Sequence, residues 1–140
     1  MKTTIIGLLL LATASVNAQE KAQTYQLADA PRYSEETGYG YDLVATPEKG
    51  SKAPFFFSVR VPDGNYQVTV RLGSKRQAGV TTVRGESRRL FIDNLATKKG
   101  QFVDETFIIN KRNPRISEKE SVRIKPREKA KLNWDDKLTL

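Results

Sequence analysis

Residues 54–72, PFFFSVRVPDGNYQVTVRL, constrain the fold of this chain more than any other stretch. Two runs alternate with a period of two around Pro62-Asp63-Gly64-Asn65, a four-residue turn signal. Phe55, Phe57, Val59 and Val61 share one side of the first run. Tyr66, Val68, Val70 and Leu72 share one side of the second, with Gln67, Thr69 and Arg71 opposite. Setting Val61 against Tyr66 predicts an antiparallel hairpin with one buried face. A lone hairpin is marginal in water, so it needs further strands to stand on.

The remaining text reads as those strands. Residues 24–27 suggest a short edge strand, and residues 29–40 a loop ending in Gly38-Tyr39-Gly40-Tyr41, where glycines bend the backbone and present rings. A second loop covers residues 46–53. Beyond the hairpin, residues 78–83 are rich in β-branched side chains, and residues 87–92 make the next strand. Residues 93–100 read as a loop with a Lys98-Lys99-Gly100 tip. Residues 101–110 alternate again, with Phe102, Thr106 and Ile108 on one side and Val103, Phe107 and Ile109 on the other. Val122, Ile124 and Ile116 mark a short strand, and Trp134 precedes a last one at residues 137–140. Without an amphipathic helix of normal length or an internal repeat, this pattern predicts an all-β fold, an antiparallel β-sandwich or jelly roll.

Two absences narrow the chemistry. The 140 residues contain no Cys, which excludes a disulfide framework, a thiolate nucleophile and a Cys-ligated metal. They contain no His either, so a Ser-His-Asp triad cannot be assembled from this chain. Ser58 and Ser87 lie in expected strands without a base, and Asp104-Glu105 sit on opposite faces of theirs. The chain is therefore expected not to be an enzyme by itself. The formal charge of +8 asks for an anionic partner.

Met1-Lys2 followed by an apolar run and Val16-Asn17-Ala18 reads as a signal peptide over residues 1–18, with Gln19 opening the mature chain. Secreted or periplasmic location follows, with no membrane anchorage after cleavage. Nine basic residues between positions 111 and 131 resemble a nucleic-acid arm, but export and the interspersed Glu118, Glu120 and Glu128 argue against nucleic acid. Residues 137–140 read as a strand just begun, so residues 19–140 are expected to be one domain of a larger, truncated protein.

The ordered set Gly38-Tyr39-Gly40-Tyr41, PFFFSVRVPDGNYQVTVRLG, Thr81-Thr82-Val83, ESRRLFIDNLAT, residues 102–110, Arg115-Ile116, VRIKPRE and WDDKLTL spans nearly all of the mature chain. In that order it resembles the N-terminal galactose-binding-like β-sandwich of bacterial rhamnogalacturonan acetylesterase-type SGNH/GDSL hydrolases. The resemblance implies a non-catalytic accessory module of a secreted pectin esterase, engaging or positioning acidic polysaccharide. Its alternative is a purely structural module that packs on a C-terminal hydrolase domain and binds no glycan. Nothing matches the family's Gly-Asp-Ser nucleophile block, so no catalytic residue carries over.

Within that expectation Tyr39, Tyr41 and Trp134 are candidates for stacking on sugar rings, or else for packing under loops or against the hydrolase domain. Arg76 with Lys75, and Arg88 with Arg89, are candidates for bidentate contacts to galacturonate carboxylates, or else for a solvated strand face. Asp135 and Asp136 are candidates for a structural Ca²⁺, or else for a turn at a strand boundary. No other cofactor is expected.

Overall fold

The structure, a computed structural model, describes residues 22–43, 53–86, 88–128 and 134–140. The expected signal peptide at residues 1–18, most of the loop at residues 46–53, and Ser87 lie outside the described residues. Among the described residues the chain is all-β, with antiparallel sheets and two short 3-10 turns, Leu27–Asp29 and Pro126–Glu128. Strands β1 (Tyr39–Asp42), β2 (Phe56–Arg60) and β7 (Lys137–Thr139) form one sheet with β2 in the middle. Strand β3 (Gly64–Gly73) pairs with β6 (Phe102–Lys111), and β4 (Gly79–Gly85) with β5 (Arg89–Thr97).

The hairpin expected across residues 62–65 does not form. Strand β2 pairs with β1 and β7, while β3 runs its full length along β6, from Gly64 opposite Lys111 to Gly73 opposite Phe102. Both choices have a physical reason. Asp63 is held by Lys111 Nζ, at 2.8 Å, and by the Asn113 amide, so the turn hands the chain from one sheet to the next. Strand β6 also matches β3 in length and in alternation. Tyr66 faces Ile109, Val68 faces Phe107 and Leu72 faces Val103 on one side; Thr69 faces Thr106 and Arg71 faces Asp104 on the other. Ten matched pairs outweigh the few that a local hairpin would supply.

On one face of the first sheet Tyr39, Val59 and Leu138 stand abreast, beside Tyr41 and Phe57. Tyr41, Phe57 and Leu138 are buried there, and Leu140 extends the row by exchanging both backbone hydrogen bonds with Phe57 at 2.9 Å. The three sheets meet at Gly85. A Cβ at this position would lie 2.5 Å from Ile109 Cδ1 on β6, 2.9 Å from the Phe91 ring on β5 and 3.3 Å from Leu140. Ile109 is fully buried, and Phe91 stacks on Phe107 with centroids 4.3 Å apart, which ties β5 to β6. The opposite face of the first sheet carries a polar cluster. Asp42 Oδ2 accepts from Ser58 Oγ at 2.9 Å and from Lys137 Nζ at 2.6 Å, and Ser58 Oγ lies 2.8 Å from Thr139 Oγ1.

Both outer edges of that sheet are covered. Tyr41 N–H donates to Pro31 O and Tyr33 N–H to Tyr41 O, which lays residues 31–33 along β1. Glu86 covers β7 through its backbone and its carboxylate. Covered edges deny a second chain the row of free backbone groups that drives edge-to-edge association.

Three further expectations are corrected. Residues 24–27 are no strand; the chain enters the 3-10 turn instead. Residues 93–97 are no loop, because β5 continues through a bulge. Ile92 faces Val83 and Leu95 faces Thr81, leaving Asp93 and Asn94 against Thr82 alone. Asn94 has φ 48° and gives its N–H to Thr82 Oγ1 at 3.2 Å, a conformation that Asn tolerates. The strand expected around Ile116, Val122 and Ile124 is only a bridge between Arg115 and Ser121, with Ile116 and Val122 exposed.

Candidate functional site

The pairing of β3 with β6 and of β4 with β5 brings two connections together at one end of the ribbons. Residues 74–78 join β3 to β4, and residues 98–101 join β5 to β6. They are clipped by Gly100 N–H donating to Ser74 O at 2.8 Å. The second loop is closed by Gln101 N–H to Lys98 O at 3.0 Å and by Lys98 N–H to Gln101 Oε1 at 2.9 Å. In the first loop Arg76 N–H donates to Ser74 Oγ at 3.2 Å. Side chains hold the backbone of both loops, which leaves four exposed cations, Lys75, Arg76, Lys98 and Lys99, at one tip.

Neither loop contains a carboxylate, and among the described residues none of the four cations enters an ion pair. The nearby Asp104 is engaged by Arg71 at 3.5 Å. Four like charges this close raise the local potential and attract polyanions, with a strength that falls as salt screens them. Charge is handled differently on β6, where the buried Lys111 meets Asp63. The Lys111 hydrogen bond holds the Asp63 carboxyl below the usual aspartate range.

The sequence candidates scatter over the molecule. Arg76 lies in the tip. Arg88 is exposed at the opposite end of the β4–β5 ribbon, next to Glu86, so the two arginines do not converge. Its neighbour Arg89 donates to Asn110 O at 3.1 Å. Tyr39 and Tyr41 are not presented on a bent loop but belong to β1. Tyr41 is only 7% exposed, donates its hydroxyl to Leu27 O at 2.7 Å and meets Phe55 and Phe57 edge-on. Tyr39 is half-buried against Tyr25, with centroids 4.8 Å apart. Burial raises the Tyr41 hydroxyl above its ordinary range, as expected of a core tyrosine. Trp134 is half-buried under the Arg112 guanidinium, 5.5 Å from its ring, beyond the Lys111 end of β6. These rings form no common cleft with the tip.

Asp135 and Asp136 turn to different cations. Asp135 accepts the Lys137 N–H at 3.0 Å and lies 3.9 Å from Lys137 Nζ, while Asp136 lies 3.7 Å from Arg60. Burial foremost raises the Asp135 carboxyl. Ion pairing accounts for both residues, and among the described residues no group of three or more acidic side chains could hold a metal ion together. An open depression of about 340 Å³ lies between Pro114 and Ser121, lined by Arg115, Lys119, Glu118 and Glu120. Its charges cancel and it holds no ring, which makes it a poorer site than the tip.

Sequence reasoning marked Lys75 and Arg76 but passed over Lys98, Lys99 and Phe102. The signal was present, since Lys98-Lys99-Gly100 reads plainly as a loop tip. What was missing was the strand pairing that sets this tip against residues 74–76. No family model, curated protein or solved structure matches the chain. The resemblance to the acetylesterase sandwich therefore rests on the quoted residues alone.

Proposed function

We propose that this chain is a non-catalytic accessory module of a secreted pectin esterase of the rhamnogalacturonan acetylesterase type, engaging acidic polysaccharide through its basic tip. In this reading the antiparallel sheets belong to a sandwich of the galactose-binding-like, jelly-roll kind. The observation that carries the proposal is the set of four unneutralised cations on two loops that the fold clips together. Lys and Arg in exposed loops suit the spaced carboxylates of a polyuronate. The absence of His and the sealed position of Ser58, fully buried between Asp42 and Thr139, support a binding role over hydrolysis.

The test is calorimetric titration of the full chain with de-esterified rhamnogalacturonan at low and at moderate salt. The expected result is binding that weakens with salt and is lost in the Lys98→Ala/Lys99→Ala variant. No heat from the folded chain with acidic glycans overturns the reading.

The alternative, a structural module docking on a hydrolase domain, is supported by one observation. Ile116 is 67% exposed on the excursion that follows β6, and Val122 on the same excursion is also exposed. Its test is whether Ile116→Ser weakens association with such a domain while leaving glycan binding unchanged.

A further inference from the structure

We propose that Phe102 is the stacking platform for a pyranose ring at the basic tip, which makes the ligand class a uronic-acid glycan rather than polyanions in general. This inference rests on the polysaccharide reading above and adds a residue and a selectivity to it.

Phe102 opens β6 directly after the 98–101 loop and is 40% exposed. The ring follows directly on the loop that carries Lys98 and Lys99, and its surroundings leave part of it in water. Its cross-strand partner is Gly73. Gly73 has φ +138°, and a Cβ there would sit 2.1 Å from Gln101 O and 3.0 Å from Phe102 Cα. No side chain can therefore stand at position 73 and cover the ring from across the ribbon. On the diagonal, the Arg71 guanidinium lies 5.6 Å from the ring centroid and is steadied by Asp104. The guanidinium lies over one face of the ring, so the proposed sugar stacks on the opposite face.

The other aromatic rings do not offer this. Tyr25, Tyr39, Tyr41 and Phe57 pack on one another, and Phe91 stacks on Phe107. Phe55 is exposed but precedes β2 and lies edge-on to Tyr41, and Trp134 is half-buried beyond the opposite end of β6, away from the tip. Among the described residues Phe102 combines an exposed ring with a place beside the cations. The C–H face of a pyranose is apolar and matches an aromatic face, while its ring carboxylate can reach Lys98, Lys99 or Arg76. A polyanion without sugar rings would gain only the charge contacts. The pairing of ring and cations thus discriminates where charge alone cannot.

The experiment compares binding of the full chain to polygalacturonate and to poly-glutamate at low salt, using Phe102→Ala, Phe102→Tyr and Lys98→Ala/Lys99→Ala, each checked for folding by circular dichroism. Phe102→Ala is expected to weaken polygalacturonate binding by about fivefold to tenfold and leave poly-glutamate binding unchanged. Phe102→Tyr should restore the loss, and the double lysine variant should weaken both polymers. Unchanged polygalacturonate binding in Phe102→Ala, or an equal loss for both polymers, overturns the stacking role while the basic-tip reading stands. Wild-type chain that binds neither polymer overturns the reading beneath it, and the stacking role with it.

Discussion

Glu86 pairs with Thr139 as a neighbouring strand would. Its backbone N–H donates to Thr139 O at 2.9 Å, and its carboxylate Oε1 accepts the Thr139 N–H at 3.1 Å. The residue is 5% exposed and has φ 49°, so one side chain in a left-handed turn completes the outer edge of β7. Burial foremost raises its carboxyl, Asp135 adds to this, and Arg89 and Lys111 oppose it.

This sets a pH dependence. A carboxyl raised on folding contributes stability that is full below its unfolded value and is lost as pH rises through its folded value. Glu86→Gln keeps an acceptor for Thr139 without a buried charge. Urea melts should show it close to the wild type in acid and more stable at neutral pH. Glu86→Ala strands the buried Thr139 N–H and should cost about 1–3 kcal/mol.

Asp42 behaves in the opposite sense. Burial alone would raise its carboxyl, but the Lys137 ammonium, the Leu43 N–H and the Ser58 hydroxyl together hold it below the usual range. Its stabilising contribution is present above the unfolded value and disappears as pH falls through the folded one. The Lys137 and Asp42 side chains are only 16% and 15% exposed. Asp42→Asn should therefore cost about 2–4 kcal/mol at neutral pH. Denaturation in strong acid should find the gap to wild type closed.

Gly85→Ala places a methyl against Ile109 Cδ1 and should destabilise by about 1–3 kcal/mol through overpacking. Ile109→Val removes that Cδ1 atom. Combined with Gly85→Ala, it should recover part of the loss instead of adding the usual ~0.5–1.5 kcal/mol of a core truncation. A double-mutant cycle in urea reads this coupling, and simple additivity would rule out the close contact as the cause.

At the tip, Lys98→Glu/Lys99→Glu reverses two charges on an exposed turn. Thermal stability should change by no more than about 0.5 kcal/mol, as for other exposed sites. Polygalacturonate binding at low salt should fall at least tenfold, and its remaining salt dependence should flatten.

Much of this was legible in the sequence at the level of faces, and little at the level of partners. The alternation from Tyr66 to Leu72 placed each side chain of β3 on its proper face, because side-chain period reports orientation directly. It could not tell which strand lay alongside, since a nearby turn and a distant matching strand leave the same pattern. Asp93-Asn94 looked like a loop because a left-handed Asn serves a bulge as readily as a turn. Tyr39 and Tyr41 looked like displayed rings because the flanking glycines signalled bends. The structure uses those positions to bring residues 31–33 alongside β1. The basic tip depends on the β3–β6 register, and so it became visible only with the pairing.

That register also orders events in time. The β4–β5 ribbon is a local pairing whose closure brings the ends of β3 and β6 together, so the longer ribbon can zip after it at little extra entropic cost. The first sheet has no such shortcut. Ser58 and Thr139 touch across 81 positions of chain. Contacts of that span are slow to find, so β7 is expected to dock last. The part of the chain proposed to meet polysaccharide would then be assembled early, before the aromatic sheet at the other end closes.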